Sequence, residues 1–277
     1  MTRWLAFLVA LLLNATTSFH VSASEKSRPF FAFQNGVRFS SAEERINVLK
    51  ELGYDGIGST NPQDLENRLK LYDAAGLKIF SLYLGGRLNP EGTEVSPDIK
   101  EAIQQLNGRE TVIELYVQGS SSNTDEQAVA YVRAVADLAQ DSGLKVVLYP
   151  HAGFYVDTLS DAVRIATLCD RENVGVMFNL CHFLKVQPEA DLHHELENAK
   201  PYLWQVSTSG ADLGGENWGQ LIQTLDRGTF DQAILFSALD SIGYRGPVGL
   251  QCYAIKGDPR QNLERSIQAW RQLRGGT

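Results

Sequence analysis

Tyr149-Pro150-His151 and Asn179-Leu180-Cys181-His182 each set an imidazole a few residues beyond a polar side chain, at the end of a short β-rich run. An imidazole changes charge near neutral pH, so His151 and His182 are candidates for general acid/base work. The plainer role for each is a hydrogen bond to substrate or main chain. Glu114 is the third candidate catalytic group. In Glu114-Leu115-Tyr116-Val117-Gln118 the period of two places Glu114, Tyr116 and Gln118 on one face of a strand. Glu114 can act as a base, orient an imidazole, or sit deeper as a paired core carboxylate. Cys181 beside the two histidines would make a soft metal site, but strand alternation turns the cysteine away. His193-His194 fall among acids on an expected helix and read as solvated surface.

The ends of neighbouring β-rich runs add Tyr83, Gln118, Tyr149, Asn179, Ser207 and Gln251 as candidate substrate-binding groups. Amides, hydroxyls and imidazoles together satisfy many ligand hydroxyls, and aromatic faces pack on the C–H faces of a sugar ring. The ligand this set suits is a small sugar or polyol. Any one of these residues can simply anchor a loop. Clustering at successive strand ends favours a site.

The elements that must hold these groups alternate strand and helix. The expected strands are 30–34, 55–59, 78–84, 111–117, 145–149, 174–180, 203–207 and 247–253. Between them the periodicity predicts helices over 42–52, from Asn61-Pro62 to Gly76, over 97–106, 125–140, 159–169, 189–198 and 230–242, and finally 261–273. In the clearest of them, Val129, Val132, Val135 and Leu138 are expected as the inner stripe. Eight strand–helix units imply a parallel sheet with helical crossovers, closed as a single α/β (β/α)8 barrel. A doubly wound sheet would carry a Gly-rich phosphate loop after its first strand, and Gln34-Asn35-Gly36-Val37-Arg38 is not one. In such a barrel the βα loops at the C-terminal strand ends form the active site, which is where the candidates lie.

Arg3, the apolar run Trp4 to Leu13 and the small residues Val21-Ser22-Ala23 follow the pattern of a secretory signal peptide. Residues 1–23 are read as that peptide and 24–277 as the barrel domain, exported to the periplasm or the extracellular space. The apolar run is too short to span a bilayer, and no cysteine follows it to carry a lipid anchor. The 277-residue chain has a formal charge of −8; losing Arg3 and no acid makes the mature chain −9. That balance, without a basic stripe, argues against nucleic acid as a partner. Cys169, Cys181 and Cys252 show no CxxC spacing, and the sequence leaves open one disulfide or three buried thiols. It is silent on oligomeric state.

Three stretches carry a family resemblance: 143–151, 173–182 and 243–251. They resemble the xylose isomerase-like TIM barrels, which include sugar phosphate isomerases and epimerases and family-2 AP endonucleases. The resemblance implies a divalent metal such as Zn or Mn, held by a strand-five Glu, a strand-six Asp, a strand-seven His and a strand-eight Glu. Here those positions are Tyr149, Asn179, about Ser207, and Gln251, while His151 and His182 are kept. Losing the carboxylates removes most of the attraction for a hard cation, so no metal ligand and no cofactor are assigned. The expectation is an exported sugar isomerase or epimerase working through His151 and His182 without the usual metal. The alternative is a non-catalytic sugar-binding barrel. Nuclease activity fails on the acidic, exported chain and the missing ligands.

Overall fold

Eight short strands, each followed by at least one helix, close into a parallel barrel in simple sequence order, with β8 returning to β1. The computed structural model describes residues 28–89 and 93–275. The expected signal peptide, and the boundary at residue 24, lie outside the described residues. The strands are β1 (Phe30–Phe33), β2 (Gly56–Ser59), β3 (Lys78–Arg87), β4 (Val112–Gln118), β5 (Val146–Leu148), β6 (Val174–Asn179), β7 (Leu203–Thr208) and β8 (Val248–Leu250). The helices are α1 (Ala42–Leu52), α2 (Leu65–Ala75), α3 (Pro97–Gln105), α4 (Asp125–Asp141), α5 (Leu159–Cys169), α6 (Leu180–Val186), α7 (Leu192–Ala199), α8 (Trp218–Leu221), α9 (Gln232–Ser241) and α10 (Pro259–Gly275). None of the described helices is long and apolar enough to cross a membrane.

Local chemistry fixes where the helices start and stop. Thr124 and Thr158 each form a capping box, with Gln127 and Asp161 respectively, which satisfies main-chain N–H groups that a helix start leaves orphaned. Gly53 and Gly76 end α1 and α2 in the left-handed region that glycine adopts without strain. The inner stripe of α4 differs from expectation. Val129, Val132 and Val135 are buried, but Leu138 is 37% exposed. Each step of three residues falls roughly 60° short of a full turn at 3.6 residues per turn, so a stripe of four such positions rotates to the opposite face. Ala128, Ala136 and Ala139 complete the buried side instead.

The apolar residues form two layers. The larger fills the space between strands and helices. The smaller, built on Phe31, Phe33, Val147, Tyr149 and Met177, plugs the barrel. Phe31 and Phe33 fit because β2 and β8 offer Gly58 and Gly249 opposite them; a Cβ at either glycine would come within 3 Å of both rings.

Three departures from the sequence expectation matter for the site. Strand β6 runs directly into α6, so His182 lies in the first turn of a helix and not at a strand end. A short helix, α8, interrupts the long connection after β7. The helix expected over 189–198 splits into a 3-10 turn at Glu189–Asp191 and α7.

Candidate active site

The C-terminal strand ends open on a cavity of about 460 Å³. Tyr83, Glu114, Tyr149, His151, His182 and Gln251 line it, as the sequence implied. Asn179 stands behind Tyr149, its amide nitrogen donating to the tyrosine hydroxyl at 2.5 Å. Two more expected binding residues are not in the wall. Gln118 shares the parity of Glu114 but stands beyond the rim: β3 pairs with β4 as far as Gln118, whereas β5 pairs with β4 only as far as Leu115. Ser207 is fully buried within β7.

Six further residues complete the wall: Phe33, Asn35, Thr60, Trp218, Ile222 and Tyr253. Asn35 and Thr60 follow the first two strands, so reading the strand ends from the beginning of the barrel would have found them. Trp218 and Ile222 belong to α8 and the residue after it, for which the sequence pattern held no signal. Tyr253 is 48% exposed, an aromatic face open at the rim.

The two imidazoles are adjacent, with ring centroids 4.2 Å apart. His151 stacks on Phe154 at 3.8 Å, and His182 meets Trp218 edge to face at 5.0 Å between ring centres. His151 leaves β5 on a tight turn in which the Phe154 N–H donates to the His151 carbonyl at 2.9 Å and Gly153 takes φ +85°. Within that turn His151 Nδ1 lies 3.0 Å from the Ala152 carbonyl, and the Ala152 N–H donates to His182 Nδ1 at 3.1 Å. Burial lowers both imidazole pKa values, that of His182 to about 3 with a further push from His151. His182 is therefore a neutral imidazole across the working pH range.

Glu114 lies at the cavity floor with no exposed surface. It orients neither imidazole: its Oε1 accepts the Gln205 side-chain amide. Burial raises its pKa to about 8, against hydrogen bonding from Ser81 and Gln205. The Ser81 hydroxyl is near enough to favour the anion, yet neither Ser81 Oγ nor Glu114 Oε2 completes a well-formed hydrogen bond. Burial thus favours the protonated acid of Glu114, held at the cavity floor by Gln205 and not by either imidazole.

The divalent cation implied by the resemblance does not fit the groups at this site. Tyr149 is buried and its pKa is pushed far above the ordinary phenol value, so its hydroxyl keeps its proton. The Asn179 carbonyl accepts the Cys181 thiol at 3.1 Å. Gln251 Oε1 accepts two main-chain N–H groups, those of Cys252 and Tyr253, each at 3.1 Å. These oxygens are neutral and already engaged, whereas a hard cation needs anionic oxygen. Among the described residues no group of three or more His, Cys, Asp or Glu side chains is arranged to hold a metal. Cys181 lies on α6 and packs with Leu221 and Ile222, outside the cavity wall. The strand alternation used to set it aside does not apply, although its placement away from the cavity does hold. All three cysteines are buried free thiols.

A family model described as "xylose isomerase-like TIM barrel" matches residues 46–273. No curated protein matches the chain. Among solved structures, a 3-keto-D-glucoside 4-epimerase from E. coli is similar at a TM-score of 0.71 and 20% identity, over 90% of this chain and 100% of that one. A D-allulose 3-epimerase from Methylomonas sp. is similar at 0.69 and 17%, over 89% and 98% of the two chains. The IOLI protein, solved with a bound zinc atom, is similar at 0.70 and 15%, over 89% and 96%. At these identities the likeness concerns the fold.

Proposed function

The chain belongs to the xylose isomerase-like TIM barrel family, and on that premise we propose an exported sugar-converting enzyme of the isomerase or epimerase type that moves a proton with imidazole in place of a metal. Residues 1–23 act as a signal peptide in this reading, and the barrel, residues 24–277, works in the periplasm or outside the cell. The observation that carries it is the pair of imidazoles, 4.2 Å apart, set into one aromatic-walled cavity.

The described residues that line the cavity include no Lys or Arg. A phosphate group would find no cation there, so the substrate class is a neutral sugar or polyol derivative with a carbonyl. Tyr83, Trp218 and Tyr253 offer ring faces to its C–H surface. Tyr149 and Gln251 offer hydrogen bonds to its hydroxyls. A proton on the carbon beside the carbonyl is acidic enough for an imidazole of modest basicity to remove when the developing oxyanion is held by a donor. Two of the structurally similar proteins are named as sugar epimerases, which agrees with this class of chemistry.

The test is solvent-deuterium exchange. Mature protein is incubated with a panel of free keto and aldo sugars in D2O, with and without chelator, and carbon-bound deuterium is read by mass spectrometry. Exchange into at least one sugar, unchanged by chelator, is expected. A sugar that binds yet gains no deuterium would make the barrel a binding protein.

A further inference from the structure

One peptide segment contacts both imidazoles, and it does so through opposite hydrogen-bonding groups. A carbonyl oxygen only accepts, so His151 Nδ1, 3.0 Å from the Ala152 carbonyl, must carry a proton. A main-chain N–H only donates, so His182 Nδ1, 3.1 Å from the Ala152 nitrogen, must be bare. In a neutral ring the other nitrogen takes the complementary form. The free atoms are then a lone pair on His151 Nε2 and an N–H on His182 Nε2. Neither Nε2 has a hydrogen-bond partner among the described residues, and both rings line the cavity.

The orientation of the segment has a visible cause. The Ala152 carbonyl and the Gly153 N–H belong to the same planar peptide unit, so fixing one end fixes the other. The Gly153 N–H donates to Asp157 Oδ1 at 2.8 Å. The turn is pinned again where the His151 N–H donates to the Val156 carbonyl at 2.9 Å. Asp157 thus aims the Ala152 carbonyl at His151 without touching either ring nitrogen.

We propose that the Asp157-anchored turn locks His151 and His182 in opposite tautomers, dividing their work. His151 is the base at carbon and His182 the hydrogen-bond donor to the carbonyl oxygen, which makes Asp157 a positioning residue. In the step itself His151 Nε2 bonds to the proton beside the carbonyl. The C–H electron pair becomes the C=C bond of the enolate, and the carbonyl π pair moves to oxygen, where the His182 N–H holds it. Return of the proton to carbon reverses each shift and needs no oxidant or reductant. The division of roles rests on the function proposed above; the tautomers do not.

The experiment is a long-range 1H–15N correlation spectrum of 15N-histidine-labelled full-length mature protein, with His151 and His182 assigned from the single Gln variants. His151 is expected as the Nδ1–H form and His182 as the Nε2–H form. Asp157→Ala should move the His151 signals toward the averaged pattern of a free imidazole, and Asp157→Asn, which keeps an acceptor oxygen, should restore them. Finding both imidazoles in the same tautomer in wild type would overturn the proposal. An unchanged His151 pattern in Asp157→Ala would overturn the positioning role. Opposite tautomers in a protein that exchanges no sugar proton would leave the lock standing and remove the proposed function instead.

Discussion

Replacing Glu114 with Gln should make the protein more stable at alkaline pH, and by a predictable amount. The carboxyl has no exposed surface, and its pKa is about 8 against an ordinary 4.5. Above the unfolded value the unfolded chain has released this proton while the folded one still holds it, so stability falls as pH rises. The slope is about 1.4 kcal/mol per pH unit, and it operates from about pH 4.5 to about pH 8 before levelling off. Over the whole window the cost approaches about 5 kcal/mol, a large part of the usual 5–15 kcal/mol that holds a domain together. Gln in its place keeps the carbonyl that Gln205 contacts, and it turns the unpartnered oxygen into an amide NH2 that can donate to the Ser81 hydroxyl. Urea unfolding of wild type and Glu114→Gln at pH 5, 6.5 and 8.5, with m-values held constant, should give curves that nearly meet at pH 5 and diverge by several kcal/mol at pH 8.5. Carboxylates stabilised by arginine, such as Asp73, Asp125 and Asp137, titrate alike in both proteins and cancel in the difference. Parallel curves across the whole range would show that Glu114 ionises normally, and that the floor of the cavity is wetter than its burial indicates.

Three further outcomes are expected. Chelators should leave the melting temperature of purified protein unchanged, and elemental analysis should find no stoichiometric zinc or manganese; one equivalent of either would restore a metal mechanism. The native thiols should not react with Ellman's reagent, since Cys169, Cys181 and Cys252 are at most 4% exposed and burial raises their pKa values to about 11, 12 and 12. Denaturant should release all three, and fast native reaction of any one would contradict its burial. N-terminal sequencing of exported material should begin near Ser24; a mature chain that still starts at Met1 would remove the export proposal.

The barrel was legible because its strands and helices differ in period, and because Gly53, Gly76 and Gly243 stand in the left-handed region just after their helices. The two imidazoles were legible as residue types just beyond β5 and β6. What failed did so for identifiable reasons. Leu180-Cys181-His182-Phe183 is apolar and short, and periodicity does not separate such a run into strand or helix. It proved to be the first turn of α6, which is what brings His182 within reach of the Ala152 N–H. Gln118 was placed by parity alone, which says which way a side chain faces but not how high above the rim it stands. Trp218 came from a four-residue helix inside a long connection, too short to leave a periodic mark. The opposed tautomers depend on which atom of Ala152 meets which ring, and no side-chain pattern encodes that.

The neutral residues at the positions where the resemblance implies metal ligands are best understood as one coupled set. Carboxylates crowded at a buried site repel one another and are costly to desolvate unless a cation sits among them. Their neutral counterparts carry no such cost, and here they bind each other: the Asn179 amide donates to the Tyr149 hydroxyl, which also interacts with the Gln251 side chain. Returning Asn179 alone to Asp would set an uncompensated anion beside a phenol and the Cys181 thiol, with no cation to hold. One reversion should therefore destabilise the fold without recreating a metal site. In the proposed mechanism the same coupling shifts the work of polarising a carbonyl onto neutral donors, chiefly the N–H that His182 presents. An N–H dipole stabilises an oxyanion less than a divalent ion does. On that proposal the enzyme should act on substrates whose C–H bond is already acidified by a carbonyl, and should fail with those that depend on a metal to make the proton removable.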